Sequence, residues 1–295
     1  MRLLTFRTGP GRSAAARVEG TDVVLLPYAD VGELLSHQDW RALAQADGER
    51  LPYDEARVER LVLTPPKIWC VGMNYAAHAA EAQRSTLEFP TLFGKFPIAL
   101  IGAFDGIALP DVSDQADWEV ELGVVIGHGG WRVPVESSLD HVAGYTVVND
   151  VSMRDWQRRT PQYLQGKTFA WSTPLGPELV TLDEAPDPTK GIALSCRVNG
   201  ELMQSATTAE MIFGVAELVA YVSTIAPLEP GDVIATGTPA GIGALQVPPR
   251  FLEPGDVVEA RIEGIGVQRN RCTSDEGRAF AAPTPATASS RGEGS

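Results

Sequence analysis

The chain has 295 residues, 44% of them hydrophobic and 21% charged, so it is long and apolar enough to form a large folded core. Its 38 acidic residues outnumber the 24 basic ones, and the net charge of −14 argues against a surface that binds nucleic acid or an anionic membrane. The three cysteines are far apart, and we find neither a bilayer-spanning apolar run nor a signal peptide. We therefore expect a cytoplasmic protein without structural disulfides.

Residues 1–64 form the first predicted unit, a small N-terminal α/β domain. The segments RLLTFR, ARVEG and TDVVLLP have the composition of short strands separated by glycine turns, and residues 31–51 predict a helix-rich connection. The step Thr64-Pro65-Pro66 marks the end of this unit, because consecutive prolines interrupt regular structure.

From Lys67 onward the sequence becomes rich in predicted strands. They are separated by glycine and proline turns at irregular intervals, which favours a mixed β-sheet or barrel over alternating βαβ units. We therefore predict a β-rich α+β domain over residues 65–273, with strands in KIWCVG, DWEVELGVVIG, VAGYTVVND, ALSCRVNG, GDVIATG and GDVVEARIEG. The last residues, 274–295, are poor in apolar side chains and rich in Pro, Ser, Ala and Gly, which predicts a disordered tail.

Two helices and a repeated turn complete the predicted elements. Residues 74–82 can form a helix with Asn74 as its N-cap, and residues 208–225 carry apolar side chains at helical spacing. The hexapeptide Leu-Glu-Pro-Gly-Asp-Val occurs at 228–233 and again at 252–257. Pro followed by Gly suits the centre of a type II turn, so each copy is expected to begin a strand.

Two carboxylates stand two residues apart in the otherwise apolar stretch 117–126. In a strand, Glu119 and Glu121 would share one face about 6.6 Å apart, and like charges in a core need compensation. A third carboxylate, Asp150, follows the predicted strand at 145–149. Three carboxylates without cysteine or histidine favour Mg²⁺ or Mn²⁺, with Ca²⁺ also acceptable, over zinc or copper. The Glu-x-Glu spacing by itself fits a solvent-facing edge strand equally well.

Other segments carry side chains suited to acid–base chemistry or anion binding. On a helix, His78 and Glu81 would be neighbours, and a carboxylate beside an imidazole orients it as a general base. Arg154, Gln157 and Lys167 follow the third carboxylate and are donors for carboxylate or enolate oxygens. The glycine-rich loop 235–243 lets backbone amides approach a ligand anion, but it is neither a P-loop nor a dinucleotide fingerprint. Each of these segments alone also fits an ordinary solvated surface.

Taken together and in this order, the segments resemble the fumarylacetoacetate hydrolase family. The resemblance covers residues 67–272 and rests on VGMNYAAHAAE, FPTLFGKFPIALIG, DWEVELGVVIG, GYTVVNDVSMRDWQ, QGKTFAWSTPLGPELVT, VNGELMQ and LEPGDVIATGTPAGIG. It implies the family's β-rich mixed fold, with the extra N-terminal domain that many bacterial members have, and a homodimer. It also implies small keto-acid substrates, namely α-keto or 1,3-dicarbonyl acids that undergo C–C hydrolysis, decarboxylation or keto–enol isomerisation.

The resemblance also implies a role for each residue that matches a family motif. Glu119, Glu121 and Asp150 would be the divalent-metal ligands, His78 and Glu81 the catalytic acid–base pair, and Lys167, Arg154 and Gln157 the groups that contact substrate oxygens. Tyr75 and the turn at Gly237 and Thr238 would line the pocket. Many members have an acidic residue three positions after the lysine, where this chain has Ala170. The side chains that select the substrate are expected within 83–96 and near Trp171.

Three functional hypotheses follow from these residues. The first is a metal-dependent hydrolase that cleaves a C–C bond in an acylpyruvate-like or diketo acid through a stabilised enolate, with His78 taking a proton from water. The second is an isomerase or decarboxylase of a 2-oxo or 2-hydroxydienoic acid, which needs the same enolate but no hydrolytic water. The third is a non-catalytic binding module that keeps the fold.

Overall fold

The fold is built from short strands and a few short helices, which the computed structural model describes over residues 1–83 and 87–276. The strands are β1 (Arg2–Gly9), β2 (Arg12–Glu19), β3 (Asp22–Leu25), β4 (Arg50–Pro52), β5 (Ile68–Gly72), β6 (Thr91–Gly94), β7 (Leu100–Ile101), β8 (Ile107–Leu109), β9 (Ala116–Asp117), β10 (Val120–Ile126), β11 (Val142–Asn149), β12 (Ser152–Met153), β13 (Thr173–Thr181), β14 (Ala193–Val198), β15 (Glu201–Thr207), β16 (Val233–Ala235), β17 (Val257–Ile262) and β18 (Gly266–Ser274). The helices are α1 (Val31–Leu35), α2 (Trp40–Leu43), α3 (Ala76–Glu81), α4 (Arg154–Gln157), α5 (Leu164–Lys167) and α6 (Val215–Ile225).

Two larger sheets organise the described part of the chain. The first has the order β4-β3-β2-β1-β13-β11-β10-β16-β5-β6, with β7 also paired to β13, and the second has the order β15-β14-β17-β18-β8. A short ribbon pairs β9 with β12. Most neighbouring strands are antiparallel, but β5 and β16 are parallel, so the first sheet is mixed. The predicted β-rich α+β fold is confirmed, and its sheets are open rather than closed barrels.

Strand β10 lies in the middle of the first sheet and is buried along its whole length. Its neighbouring side chains face opposite sides, as strand geometry requires. Val125 packs in a core with α1 and α2, which contribute Leu35 and Trp40. Val124 packs in a second core that includes α6 and the five-stranded sheet. Because β10 is flanked by β11 and β16, the edge-strand interpretation of the Glu-x-Glu spacing is wrong.

The N-terminal strands continue the same sheet as β10 and β11. Strand β1 pairs antiparallel with β13, with Arg2 opposite Val180 and Leu3 opposite Leu179. The backbone amide of Leu61 also donates to the carbonyl of Leu175. Residues 1–64 therefore share a hydrogen-bonded sheet with the rest of the chain, and their standing as a separate domain stays a prediction.

The predicted strands and the repeated turn agree with the structure. Each of the nine segments predicted as strands contains one, and β13, β15 and β18 are additional strands that the sequence patterns did not single out. In both hexapeptides the glycine has a positive φ, 86° at Gly231 and 102° at Gly255. The amide of each following aspartate closes the turn on the carbonyl of Glu229 or Glu253, and β16 and β17 begin directly afterwards.

The two predicted helices begin later than expected. Helix α3 begins at Ala76, and Asn74 does not cap it, because its side chain instead donates to the carbonyls of Phe213 and Thr236 and accepts from the Phe213 amide. The segment predicted as helix from 208 is a short 3₁₀ turn at Thr208–Glu210 followed by α6 from Val215. Ile212 and Phe213 bind the backbone and side chain of Asn74, and Met211 forms a β-bridge with Tyr75, so tertiary contacts override the helical pattern between the two elements.

The remaining expectations concern the tail, membranes and cysteines. The predicted tail, 274–295, lies outside the described residues from 277 onward, and Ser274 ends β18. Among the described helices, none is long and apolar enough to cross a bilayer. All three cysteines are buried free thiols.

The close pairing of β11 with β13 gives a test of the fold. A Cβ atom at Gly144 would lie 2.1 Å from the carbonyl oxygen of Val180, which is backbone and cannot turn away. We expect Gly144→Ala to lower the free energy of unfolding by about 1–3 kcal/mol, measured by urea denaturation. The control Gly9→Ala adds its methyl group to open space and should change that free energy by less than about 0.5 kcal/mol. Equal stability of the two variants would contradict the register.

Candidate active site

The three predicted metal-binding carboxylates converge where β10 begins and β11 ends. Val120 lies opposite Asn149 in the antiparallel pair, and the amide of Asp150 donates to the carbonyl of Glu119 over 2.8 Å. The amide of Glu119 donates in turn to Oδ1 of Asn149 over 2.9 Å. These backbone contacts hold Glu119 beside Asp150, and Glu121 follows on the same strand. One oxygen from each of the three carboxylates lies within 4.8 Å of the others, and all three residues are buried.

Two buried lysines neutralise part of this negative charge. Lys167 Nζ lies 2.6 Å from Oε2 of Glu119 and 2.8 Å from Oδ2 of Asp150. Lys95 Nζ lies 2.6 Å from Oδ1 of Asp150, and neither lysine is more than 2% exposed in its side chain. Sequence reasoning missed Lys95, although it stands as a single charge in the apolar segment FPTLFGKFPIALIG. Although position 170 is alanine and not the acidic residue of many family members, Lys167 still has two carboxylate partners, because Glu119 and Asp150 both bind its ammonium group.

The charges shift the pKa values of Glu119 and Glu121 in opposite directions. Burial alone would raise the pKa of Glu119, but the ammonium of Lys167 and the guanidinium of Arg154 lower it to about 2. Burial, followed by repulsion from Asp150 and Glu119, raises the pKa of Glu121 well above its usual range. Among its described contacts Glu121 accepts from the Gly237 amide over 2.7 Å and forms no ion pair with a lysine or arginine. The site therefore lacks one positive charge beside Glu121.

Arg154 connects these carboxylates to a fourth one, Asp117. Its Nε lies 2.8 Å from Oδ2 of Asp117 and its Nη2 lies 2.6 Å from Oε1 of Glu119, while Nη1 donates to Gln157 over 3.0 Å. Asp117 also accepts from the amides of Gly243 and Ala244, over 2.7 and 3.0 Å. Asp117 was not predicted as a site residue, although it opens the Glu-x-Glu stretch.

The glycine-rich loop 235–243 binds anions that belong to the protein itself. Its amides donate to three carboxylates, Glu121 from Gly237, Glu81 from Gly241 and Asp117 from Gly243. A side chain at Gly237 would be excluded, because φ is +99° and a Cβ atom would lie 2.9 Å from the carbonyl oxygen of Val71. The amides thus bind carboxylate side chains of the protein, whereas the binding of a ligand anion by this loop stays a prediction.

His78 and Glu81 form the pair expected from their spacing on α3. Nδ1 of His78 lies 3.4 Å from Oε2 of Glu81, and the Gly241 amide donates to both Glu81 oxygens over 3.2–3.3 Å. The loop therefore fixes the carboxylate, and the carboxylate faces the Nδ1 side of the imidazole. This leaves the other ring nitrogen, Nε2, available for a further partner.

A cavity of about 750 Å³ opens beside these groups. It is lined by Phe93 and by further residues of α3, α4 and the loops. Most of the predicted site residues also line it, namely His78, Glu119, Glu121, Arg154, Gln157, Lys167 and Thr238. Asp150 and Glu81 are not among the lining residues, but they contact the lining residues Lys167 and His78 respectively. Tyr75 and Gly237 do not line the cavity in this structure, because Tyr75 is fully buried in the hydrophobic core and Gly237 faces Glu121. Trp171 lines a different, smaller cavity.

The donor set fits a divalent cation. Four buried carboxylates, Asp117, Glu119, Glu121 and Asp150, share the three cations Lys95, Arg154 and Lys167 among the described residues. The missing charge lies beside Glu121, at the place where the three clustered carboxylates meet. Donors that are all oxygen favour Mg²⁺, Mn²⁺ or Ca²⁺. Glu119, Glu121 and Asp150 are therefore the residues that could hold the ion.

The four hydrogen bonds to Asp117 predict a large cost for removing its charge. Asp117→Asn places an amide group against donors from Arg154 and the loop, so a buried guanidinium loses one of its two carboxylate partners and keeps only Glu119. We expect the free energy of unfolding to fall by about 3 kcal/mol, measured by urea denaturation with chelator present so that no metal contributes. The exposed control Asp111→Asn should change it by less than about 0.5 kcal/mol. A small effect at Asp117 would show that Arg154 does not depend on it.

Comparison with known proteins agrees with this geometry. Residues 67–273 match the sequence model described as fumarylacetoacetate (FAA) hydrolase C-terminal. A Bos taurus protein named mitochondrial oxaloacetate tautomerase FAHD2B is 48% identical over 223 residues, which span 75% of this chain and 71% of that protein. A solved fumarylacetoacetate hydrolase from Exiguobacterium antarcticum is 36% identical, with a TM-score of 0.82 over 93% of this chain and 99% of that one. A solved 5-carboxymethyl-2-hydroxymuconate delta-isomerase from Mycobacterium smegmatis is 33% identical, with a TM-score of 0.75 over the same shares of both chains. The chain belongs to the fumarylacetoacetate hydrolase family, an enzyme family.

Proposed function

We propose that the protein is a divalent-metal-dependent tautomerase of a small 2-oxo acid, which interconverts the keto and enol forms. The observation that carries this proposal is the buried cluster of Glu119, Glu121 and Asp150, of which the two glutamates line the same cavity as His78. The 48% identity to a protein named oxaloacetate tautomerase supports this reaction over the other reactions of the family.

The first requirement of the reaction is stabilisation of negative charge on the substrate. A divalent cation held by Glu119, Glu121 and Asp150 would supply Lewis acidity that favours the enolate over the ketone. Lys167 and Arg154 stay cationic for this purpose, because burial lowers each pKa but their carboxylate partners raise it above its ordinary value. The free amide hydrogens of Gln157 are donors for the substrate carboxylate, since its Oε1 is already bound to Arg154.

The second requirement is a group that moves a proton to and from carbon. His78 lines the cavity with its Nδ1 side held toward Glu81, so Nε2 is the atom that faces the substrate in this proposal. It removes the proton from the carbon beside the keto group, and return of a proton to the enolate oxygen completes the change. Atoms balance without water or any second substrate, so the reaction needs only the bound cation and the side chains of the site.

Hydrolysis of a C–C bond is the second candidate, and it is favoured by the His78–Glu81 pair. An imidazole oriented by a carboxylate is suited to activating water, and water attack on a distal carbonyl would make the enolate a leaving group. The same enolate also forms on decarboxylation. The hydrolase and decarboxylase hypotheses therefore remain predictions, as do the homodimer, the cytoplasmic location and the choice between Mg²⁺ and Mn²⁺.

Product analysis on oxaloacetate and a panel of acylpyruvates separates these reactions. We expect enol loss from oxaloacetate, followed by ultraviolet absorbance, to depend on added Mg²⁺ or Mn²⁺ and to stop with chelator. His78→Ala should slow it about 10²–10⁴-fold, because a positioned general base contributes that much. Nuclear magnetic resonance of the products identifies the alternatives, since pyruvate from oxaloacetate marks decarboxylation and cleaved acylpyruvate marks hydrolysis. Enol loss that is insensitive to both chelator and His78→Ala would refute the mechanism.

Calorimetric titration with Mn²⁺ tests the ligand assignment directly. We expect Glu119→Ala to weaken Mn²⁺ binding by at least about a hundredfold. Removing a residue that only orients a metal ligand already lowers metal affinity by up to about a hundredfold, so removing a ligand should lower it at least as much. The exposed control Glu136→Ala should bind Mn²⁺ as the unmodified protein does. Circular dichroism verifies that the variant is folded, and unchanged affinity in a folded Glu119→Ala protein would overturn the assignment.

A further inference from the structure

We propose that Arg158, with Arg159 beside it, binds a second carboxylate of the substrate at the rim of the cavity, so that the protein prefers dicarboxylic 2-oxo acids. This proposal rests on the proposed function for the reacting end of the substrate. The starting observation is one of charge. A protein with net charge −14 places two consecutive exposed arginines on the wall of the cavity that holds its reactive groups.

Arg158 continues the helical turn that carries the buried groups. The amide of Arg158 donates to the carbonyl of Arg154 over 3.1 Å, which is the spacing of an α-helical turn. Residues four apart on a helix share a face, with Cβ atoms about 5–6 Å apart. Arg154 is buried at the inner end of this face, and Arg158 is exposed at the outer end. A small acid lying along the face would therefore present its far end to Arg158.

The two guanidinium groups at 154 and 158 differ in their partners. All three nitrogens of Arg154 already contact Asp117, Glu119 or Gln157, so Arg154 serves the buried cluster. Over residues 1–83 and 87–276, the Arg158 guanidinium forms no ion pair or hydrogen bond. An arginine that lines an anion-binding cavity without a carboxylate of its own retains all its donors for a ligand carboxylate, which it can bind through two parallel hydrogen bonds.

Arg159 is held in place by an aromatic side chain. Its guanidinium carbon lies 3.5 Å from the centre of the Trp156 ring. Stacking of this kind leaves the edges of the guanidinium free while it restrains the plane. Trp156 is itself fixed by its indole N–H, which donates to the carbonyl of Val112, and by edge-on contact with Phe169. The rim therefore combines Arg158, whose guanidinium has no partner among the described residues, with Arg159, whose guanidinium is held in position by Trp156.

The arginines at the rim place substrate selection at residues 158–159, outside the region in which the sequence predicted it. Within the region 83–96 that was expected to select the substrate, Phe93 lines the cavity, whereas residues 84–86 lie outside the described structure. Phe93 offers an apolar ring with no hydrogen-bond donor for a carboxylate. The arginine pair follows α4 and supplies the charge that a second carboxylate requires.

The test compares oxaloacetate with 2-oxobutyrate, which carries a methyl group in place of the second carboxylate. Affinities of both acids are measured by calorimetry on Mg²⁺-loaded protein, and proton–deuterium exchange at carbon 3 is followed by nuclear magnetic resonance in the same samples. We expect Arg158→Gln to reduce the ratio of oxaloacetate to 2-oxobutyrate affinity about tenfold. Arg158→Lys should recover part of that ratio, because it keeps the charge but not the paired donors. Arg12→Gln, an equal charge change in the β1–β2 hairpin, should leave the ratio as it is.

The outcomes separate this inference from the proposed function. A reduced affinity ratio in Arg158→Gln supports the inference, whether or not either acid exchanges a proton. If neither acid exchanges a proton, only the tautomerase proposal is overturned. Exchange with an unchanged affinity ratio overturns the inference and leaves the tautomerase intact. An equal loss of affinity for both acids also overturns it, because it shows that Arg158 attracts anions without recognising a second carboxylate.

Discussion

The structure depends on burying four carboxylates with three cations around the junction of β10 and β11. A charge that is removed from water needs a partner nearby, and here the partners come from distant parts of the sequence. Lys95 follows β6, Arg154 begins α4 and Lys167 ends α5, and all three reach the carboxylates at the strand ends. The central pairing of β10 with β11 brings the carboxylates together, and the surrounding elements must then supply compensating charge. Folding and the formation of the site are therefore one event.

The balance of charge also explains why the glycine-rich loop lies where it does. Backbone amides carry partial positive charge without the bulk of a side chain, so they can donate to buried carboxylates whether or not a lysine or arginine also reaches them. The loop uses this property on Glu81, Glu121 and Asp117 in turn. This single segment thus orients Glu81 of the acid–base pair, Glu121 of the carboxylate cluster, and Asp117, which binds Arg154. The cavity is left with side-chain donors that are not committed elsewhere.

Much of the fold and the site could be predicted from local patterns in the sequence. Alternating or continuous apolar runs indicated the strands, and Pro-Gly indicated the two turns that begin β16 and β17. The spacing of His78 and Glu81 on a helix and of Glu119 and Glu121 near a strand correctly indicated that each pair lies together. The family resemblance supplied Arg154, Gln157 and Lys167, all of which line the cavity.

What could not be predicted involves contacts between residues distant in sequence. Asn74 has the residue type of a helix cap, but its side chain binds residues 213 and 236, which no local pattern indicates. Lys95 directly follows β6, the last strand in the order of the first sheet, and its ammonium group binds Asp150. This contact makes Lys95 part of the site, and no local pattern indicates it. The pairing of β1 with β13 joins segments about 175 residues apart. It has a consequence for the chain as a polymer: a polypeptide beginning at residue 65 would present the β13 edge unpaired to solvent, a template on which further chains could add strands. Strands β1 and β2 therefore cover an edge of β13 that would otherwise be open to strand pairing.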